Sequence, residues 1–169
     1  MKTINIFLTG LLLTVVFAGQ IHAQKQLLYK AKAEFNKDTI QYLKYNYTIR
    51  SAQYKDKTVG EILKELEYPI LYVSGIYRSV PLDSCNRETQ LAGLYLCIKQ
   101  TGKKPNELHD YYIEIYFENP PAFDEYKEVS GVSGNNHRSA FSQKLYDFIK
   151  DLKVSNVSTN EYILKFSSQ

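Results

Sequence analysis

The sequence predicts a single α+β domain, a largely antiparallel sheet of about 3–5 strands with amphipathic helices packed on one face. Two observations carry this. Residues 90–99 (QLAGLYLCIK) and 109–118 (HDYYIEIYFE) are strand-like runs joined by QTGKKPNEL, whose Gly102 and Pro105 are turn chemistry. So short a connection argues against the crossover that parallel strands need. Around this pair lie apolar stripes at helical spacing: Val59, Ile62, Leu63 and Leu66 before it, and Phe141, Leu145, Phe148, Ile149 and Leu152 after it.

Taken in order, the chain opens on Met1-Lys2, an apolar block over residues 4–18 and Ile21-His22-Ala23 before polar Gln24-Lys25. A positive start, a short apolar core and a small residue at a polar boundary read as a secretory signal peptide over residues 1–23. The block is shorter than the roughly 20 residues that cross a bilayer, and no second apolar run follows, so no membrane span is expected after cleavage. About 145 residues remain, enough for one ordinary domain with its own core. Residues 24–37 mix Leu27, Leu28, Ala31, Ala33 and Phe35 with lysines, and read as an N-terminal arm or helix preceding a domain over 38–169.

Asp38 with Gln41 forms a capping pattern, and Ile40, Leu43 and Tyr47 share a stripe, which predicts a helix from 38 to about 48. Thr58 followed three places later by Glu61 is a capping box. The helix it opens ends before Pro69, because the residue preceding a proline is pushed out of helical geometry. Residues 70–73 are bulky and apolar, a buried strand, with Gly75 a candidate bulge or kink.

In the second run of the hairpin, Tyr111, Ile113, Ile115 and Phe117 point one way, while Asp110, Tyr112, Glu114, Tyr116 and Glu118 point the other. Ala92, Leu94, Leu96 and Ile98 make the matching core face of the first run. The simplest register sets Lys99 opposite Asp110, Cys97 opposite Tyr112, Tyr95 opposite Glu114, and Gly93 opposite Tyr116, a tyrosine ring over a glycine. The outward face then carries Tyr95, Tyr112 and Tyr116 with Glu114 and Glu118, an acidic aromatic surface suited to a sugar, a cationic peptide or a protein.

Pro120, Pro121, Gly131 and Gly134 mark a long loop over 120–136. Asn136 is a cap for the helix that follows, and His137 and Arg138 beside it make an anion site a second candidate. KVSNV and YILKF are two short strands around the polar turn STN.

The net charge of +3 is spread along the chain with no basic block, which gives no support to nucleic-acid binding by a basic stripe. Fifteen Tyr and eight Phe, with no Trp, mark the composition. Cys85 and Cys97 are a candidate disulfide, and the export signal suits it. Cys97 lies about 23 Å along a strand begun at residue 90 and the five residues back to Cys85 reach about 17 Å, so a bond needs a taut return. Asn46-Tyr47-Thr48 and Asn156-Val157-Ser158 are glycosylation acceptors in a cell that performs that modification.

No catalytic residue, metal site or cofactor is predicted. His109 and His137 belong to no metal-spaced pair, no CxxC or G-x-S-x-G is present, and Glu114 and Glu118 stand about 13 Å apart by strand rise, too far for a glycosidase pair. The expectation is a small binding or interaction domain that is secreted or periplasmic, whose partner is a protein, peptide or glycan in the envelope or outside the cell. Its candidate surface is Tyr95, Tyr112, Glu114, Tyr116, Glu118, His137 and Arg138. Two rivals stand beside it: a small hydrolase using Cys85 or His137, and a structural envelope component.

Overall fold

The computed structural model describes residues 27–82, 87–104, 107–132 and 138–165. The signal-like residues 1–23, Cys85, Asn136 and His137 lie outside them. Five antiparallel strands form one sheet: β1 (Tyr72–Pro81), β2 (Arg87–Lys104), β3 (Glu107–Phe117), β4 (Arg138–Ser139) and β5 (Val154–Lys165), in the order β4-β1-β2-β3-β5. Among the described residues four α-helices pack on one face: α1 (Thr39–Leu43), α2 (Val59–Glu65), α3 (Phe123–Ser130) and α4 (Gln143–Ile149). This is the α+β domain that the sequence predicts. Among the described residues no helix is long and apolar enough to cross a membrane.

The N-terminal arm is docked. After an extended stretch it closes a 3-10 turn at Lys32–Phe35. Arg50, buried beneath it, donates from Nε to Leu27 O (3.0 Å) and from a guanidinium nitrogen to Tyr54 Oη (3.1 Å) and Glu65 Oε2 (3.3 Å). Asn46 is also buried, donating to Lys30 O (2.9 Å) and accepting from Lys30 N (3.2 Å). The first sequon is therefore closed to a glycosyl group in the folded chain, whereas Asn156 is exposed on β5.

Asp38 caps α1 by accepting from Ile40 N and Gln41 N, both at 3.0 Å. The α-helix stops at Leu43 and continues as a π turn over Lys44–Ile49, so the expected helix is present in two geometries. Its buried stripe is Thr39, Tyr42, Leu43, Asn46, Tyr47 and Arg50, whereas Ile40, expected inside, is 40% exposed. Arg50 and Asn46 rotate the stripe because they turn inward to hold the arm. Tyr42, Tyr47 and Tyr54 then pack ring against ring, Tyr47 stacked on Tyr54 at 5.6 Å.

The capping box at α2 forms as predicted: Thr58 N donates to Glu61 Oε2 (2.7 Å) and Glu61 N donates to Thr58 Oγ1 (3.3 Å). Thr58 holds the Glu61 carboxyl below its ordinary range. Thr58→Ala is expected to cost about 1 kcal/mol in a urea melt, and to return the Glu61 titration, followed by NMR, only part of the way to its ordinary value, because the backbone N–H of residue 58, the larger cause of the shift, remains.

Three register pairs match expectation: Gly93 with Tyr116, Tyr95 with Glu114, and Cys97 with Tyr112. Lys99 does not face Asp110. A bulge at Ile98 advances the strand by one residue, so Lys99 pairs with Tyr111 and Gln100 takes the place opposite Asp110. A second irregularity leaves Ala92 unpaired against β1, and Leu91, fully buried, fills the core position expected of Ala92. The strand expected at 70–73 runs on to Pro81 as β1; Gly75 sits in regular register opposite Leu94, and the register shift between Ile76 and Tyr77 is the one that leaves Ala92 of β2 as the extra residue.

Three further expectations are corrected. The long loop contains α3, closed by Gly131 in left-handed geometry (φ 69°). The last helix starts at Gln143 with Ser142 as its cap, and Arg138–Ser139, expected at a helix start, is the edge strand β4. The two C-terminal strands are one, because STN continues β5 instead of turning.

Candidate functional site

Strand alternation separates the sheet's two faces. Val73, Leu94, Leu96, Ile113, Ile115 and Val157 join the helices in the core. The opposite face carries Tyr72 and Ser74 of β1, Tyr95, Cys97 and Gln100 of β2, Asp110, Tyr112, Glu114 and Tyr116 of β3, and Ser158 and Asn160 of β5. Arg138 of β4 stands opposite Ser74 and completes it.

Asp110 lies at the centre of this face with no accessible surface. Its Oδ1 accepts from Gln100 Nε2 (2.8 Å), and its Oδ2 accepts from Tyr112 Oη (2.9 Å), from an Arg138 guanidinium nitrogen (3.2 Å) and, over a very short contact, from Tyr72 Oη. The Tyr72 and Tyr112 hydroxyls are themselves 2.6 Å apart. Burial alone would raise the Asp110 pKa, but the hydrogen bonds from Tyr72, Gln100 and Tyr112 and the charge of Arg138 outweigh it and hold the carboxyl below its usual range. Burial pushes Tyr112 up to about 12, with the Asp110 carboxylate adding to it and the Tyr72 hydroxyl opposing it. Tyr72 is raised further, by burial first and then by Asp110.

The remaining residues arrange around this centre. The guanidinium of Arg138 lies 4.4 Å from the Tyr72 ring centroid. Tyr112 meets Tyr72 edge to face (6.0 Å, 78°) and Tyr95 likewise (5.7 Å, 67°). Glu114 is nearly buried, accepting from Ser158 Oγ (2.8 Å) and Asn160 Nδ2 (3.0 Å).

The predicted surface therefore divides. Tyr95 and Tyr116 are half-buried and Arg138 is exposed, so these three meet solvent. Tyr112 and Glu114 are enclosed by neighbours on their own face. Glu118 is exposed past the end of β3, its N–H bonded to Lys153 O (2.9 Å). His137 lies outside the described residues. Sequence reasoning missed Tyr72, Gln100 and Asp110 as members of one cluster, because the bulge at Ile98 decides which β2 residue meets Asp110.

Cys97 is a free, buried thiol. Its candidate partner, Cys85, lies outside the described residues. Burial raises the Cys97 thiol, so it is not a poised nucleophile.

A second polar group lies at the far end of β3, on the helix side. His109 Nδ1 and Tyr111 Oη both bond Glu161 Oε1, at 2.5 and 2.8 Å. His109 Nε2 stands 3.7 Å from Glu107 Oε2. The two carboxylates lie on opposite sides of the ring and cannot converge on one ion, and among the described residues no three such side chains group around a metal position. Thr101 Oγ1, across from His109 in register, is not hydrogen-bonded to Nε2, so no hydroxyl–imidazole relay is assembled.

Comparison with family models, with curated proteins and with solved structures finds no match.

Proposed function

We propose that this chain is an exported interaction domain that engages a protein or peptide through the helix-free face of its sheet, with Tyr95, Tyr116 and Arg138 as the contacting side chains. The observation that carries this reading is the hydrogen-bonded cluster around Asp110, which fixes Tyr72, Tyr112 and Arg138 in place on the face opposite the core, which among the described residues no helix covers. Rigid tyrosines beside a held arginine lose little freedom on binding, and such residues dominate protein contact energies. A peptide suits the face better than a glycan because its rings pack edge to face, which leaves few of the flat aromatic surfaces on which a sugar stacks. The export half of the proposal rests on the order of residues 1–23.

The test is capture from the envelope and extracellular fractions with wild type and with Tyr95→Ala/Tyr116→Ala. The expected result is a protein retained by wild type and bound at least about tenfold more weakly by the double variant, with the two melting curves superimposed. Equal retention by both proteins removes the face from the proposal, and a glycan captured in place of a protein overturns the choice of ligand.

A further inference from the structure

β5 is an edge of the sheet, paired in the ladder with β3 alone. Among the described residues its outer side is covered only as far as Thr159. Asp56 N donates to Val154 O (3.0 Å), Val154 N donates to Lys57 O (2.9 Å), and Thr159 N donates to Thr48 Oγ1 (3.2 Å). Past Thr159 the register with β3 runs without a break to Lys165, so the amides of residues 161, 163 and 165 point outward as that of Thr159 does. No backbone group of the described residues pairs with this outer side. Glu161 N is bonded by its own neighbour, the Asn160 side chain, at 2.8 Å. Two large apolar side chains flank the open stretch, one on each face of the sheet: Tyr162, 58% exposed, and Ile163, 47% exposed.

An unpaired edge with apolar flanks is a template for another strand. Folds commonly blunt such an edge with a bulge or a proline, and residues 160–165 contain neither. The strand that fits this one is its own copy. Paired antiparallel about Ile163, the stretch sets Ile163 against Ile163, and by symmetry sets Tyr162 against Leu164 and Glu161 against Lys165 twice each. Residues 161, 163 and 165 carry the outward amides, so the two strands exchange hydrogen bonds at all three positions. Centring the pair on residue 162 loses the opposite charges, and centring it on 161 sets two glutamates against each other. The Glu161 carboxylate accepts from His109 and Tyr111 and is still 37% exposed at this edge. We propose that residues 160–165 form a twofold interface between two copies of this chain, which joins their sheets edge to edge about Ile163. Such pairing leaves both helix-free faces on the same side, so the dimer presents Tyr95, Tyr116 and Arg138 twice. The pairing itself does not depend on whether that face binds a partner.

Sedimentation equilibrium of the purified protein is expected to show a reversible equilibrium of monomer and dimer, and the Ile163 amide is expected to exchange with deuterated solvent more slowly as concentration rises. Ile163→Pro removes an outward N–H that the β3 ladder does not use, and should leave a monomer. Lys165→Glu keeps the ladder and sets glutamates opposite each other at both ends, so it should weaken the dimer at least about tenfold. Melting curves of dilute samples confirm that each variant folds. A wild-type protein that stays monomeric up to about 1 mM, with the Ile163 exchange rate independent of concentration, overturns the proposal. A dimer that both variants retain places the interface elsewhere and overturns it equally. A dimer lost in Ile163→Pro but unchanged in Lys165→Glu overturns the register centred on Ile163.

Discussion

Replacing Asp110 with alanine is expected to destabilise the fold by about 1–3 kcal/mol, the range for leaving buried donors without their acceptor, because the Arg138 it pairs with is exposed and keeps its hydration. The carboxylate is fully enclosed and receives donors from Tyr72, Gln100, Tyr112 and Arg138. Its removal leaves two phenols and an amide turned toward a hole. The variant needs only a denaturant titration, and a loss below about 1 kcal/mol would show that water already solvates the cluster. The pH dependence carries a definite sign. Because Asp110 is held below its ordinary range when folded, its contribution is complete above the unfolded value of about 3.9 and disappears as pH falls through the folded value. The stability gap between wild type and Asp110→Asn should therefore be constant near neutrality and shrink below about pH 4.

How legible that cluster was follows from what sets each of its parts. Tyr112 and its register partner Cys97 were readable because strand alternation and a short turn determine them. Gln100 was not, since the bulge at Ile98 depends on how β2 bends around the core, and only past that bulge do Gln100 and Asp110 meet. The same contrast appears elsewhere. The capping box of Thr58 and Glu61 is a local pattern and forms as written. Ser158, Thr159 and Asn160 read as a turn because they are polar, yet Ser158 and Asn160 are polar in order to bond the enclosed Glu114 across the sheet. Helix α3 carried local signals that the prolines masked. Asp124 and Glu125 sit in its first turn and Gly131 closes it, so Pro120 and Pro121 precede a helix rather than mark a loop.

Gly93→Ala is expected to cost on the order of 3 kcal/mol or more, at the upper end of what overpacking does. A β-carbon at residue 93 would lie 2.2 Å from the carbonyl oxygen of Ile115 and 3.1 Å from the α-carbon of Tyr116. Both obstacles are backbone in the central β2–β3 pair, so relief requires moving one strand away from the other and weakening the ladder that carries Tyr116 and Glu114. Gly75→Ala provides the comparison. There the β-carbon would meet the Tyr77 ring and hydroxyl at about the same closeness, 2.5 Å, but a side chain can turn aside, and Tyr77 is only partly buried. Gly93→Ala should therefore be clearly the more damaging of the two in matched urea melts, and it should also broaden the Tyr116 ring resonances while Gly75→Ala leaves them sharp. The reverse order would mean that β2 and β3 stand farther apart in solution than this register requires, and the face built on Tyr95 and Tyr116 would lose its rigid support.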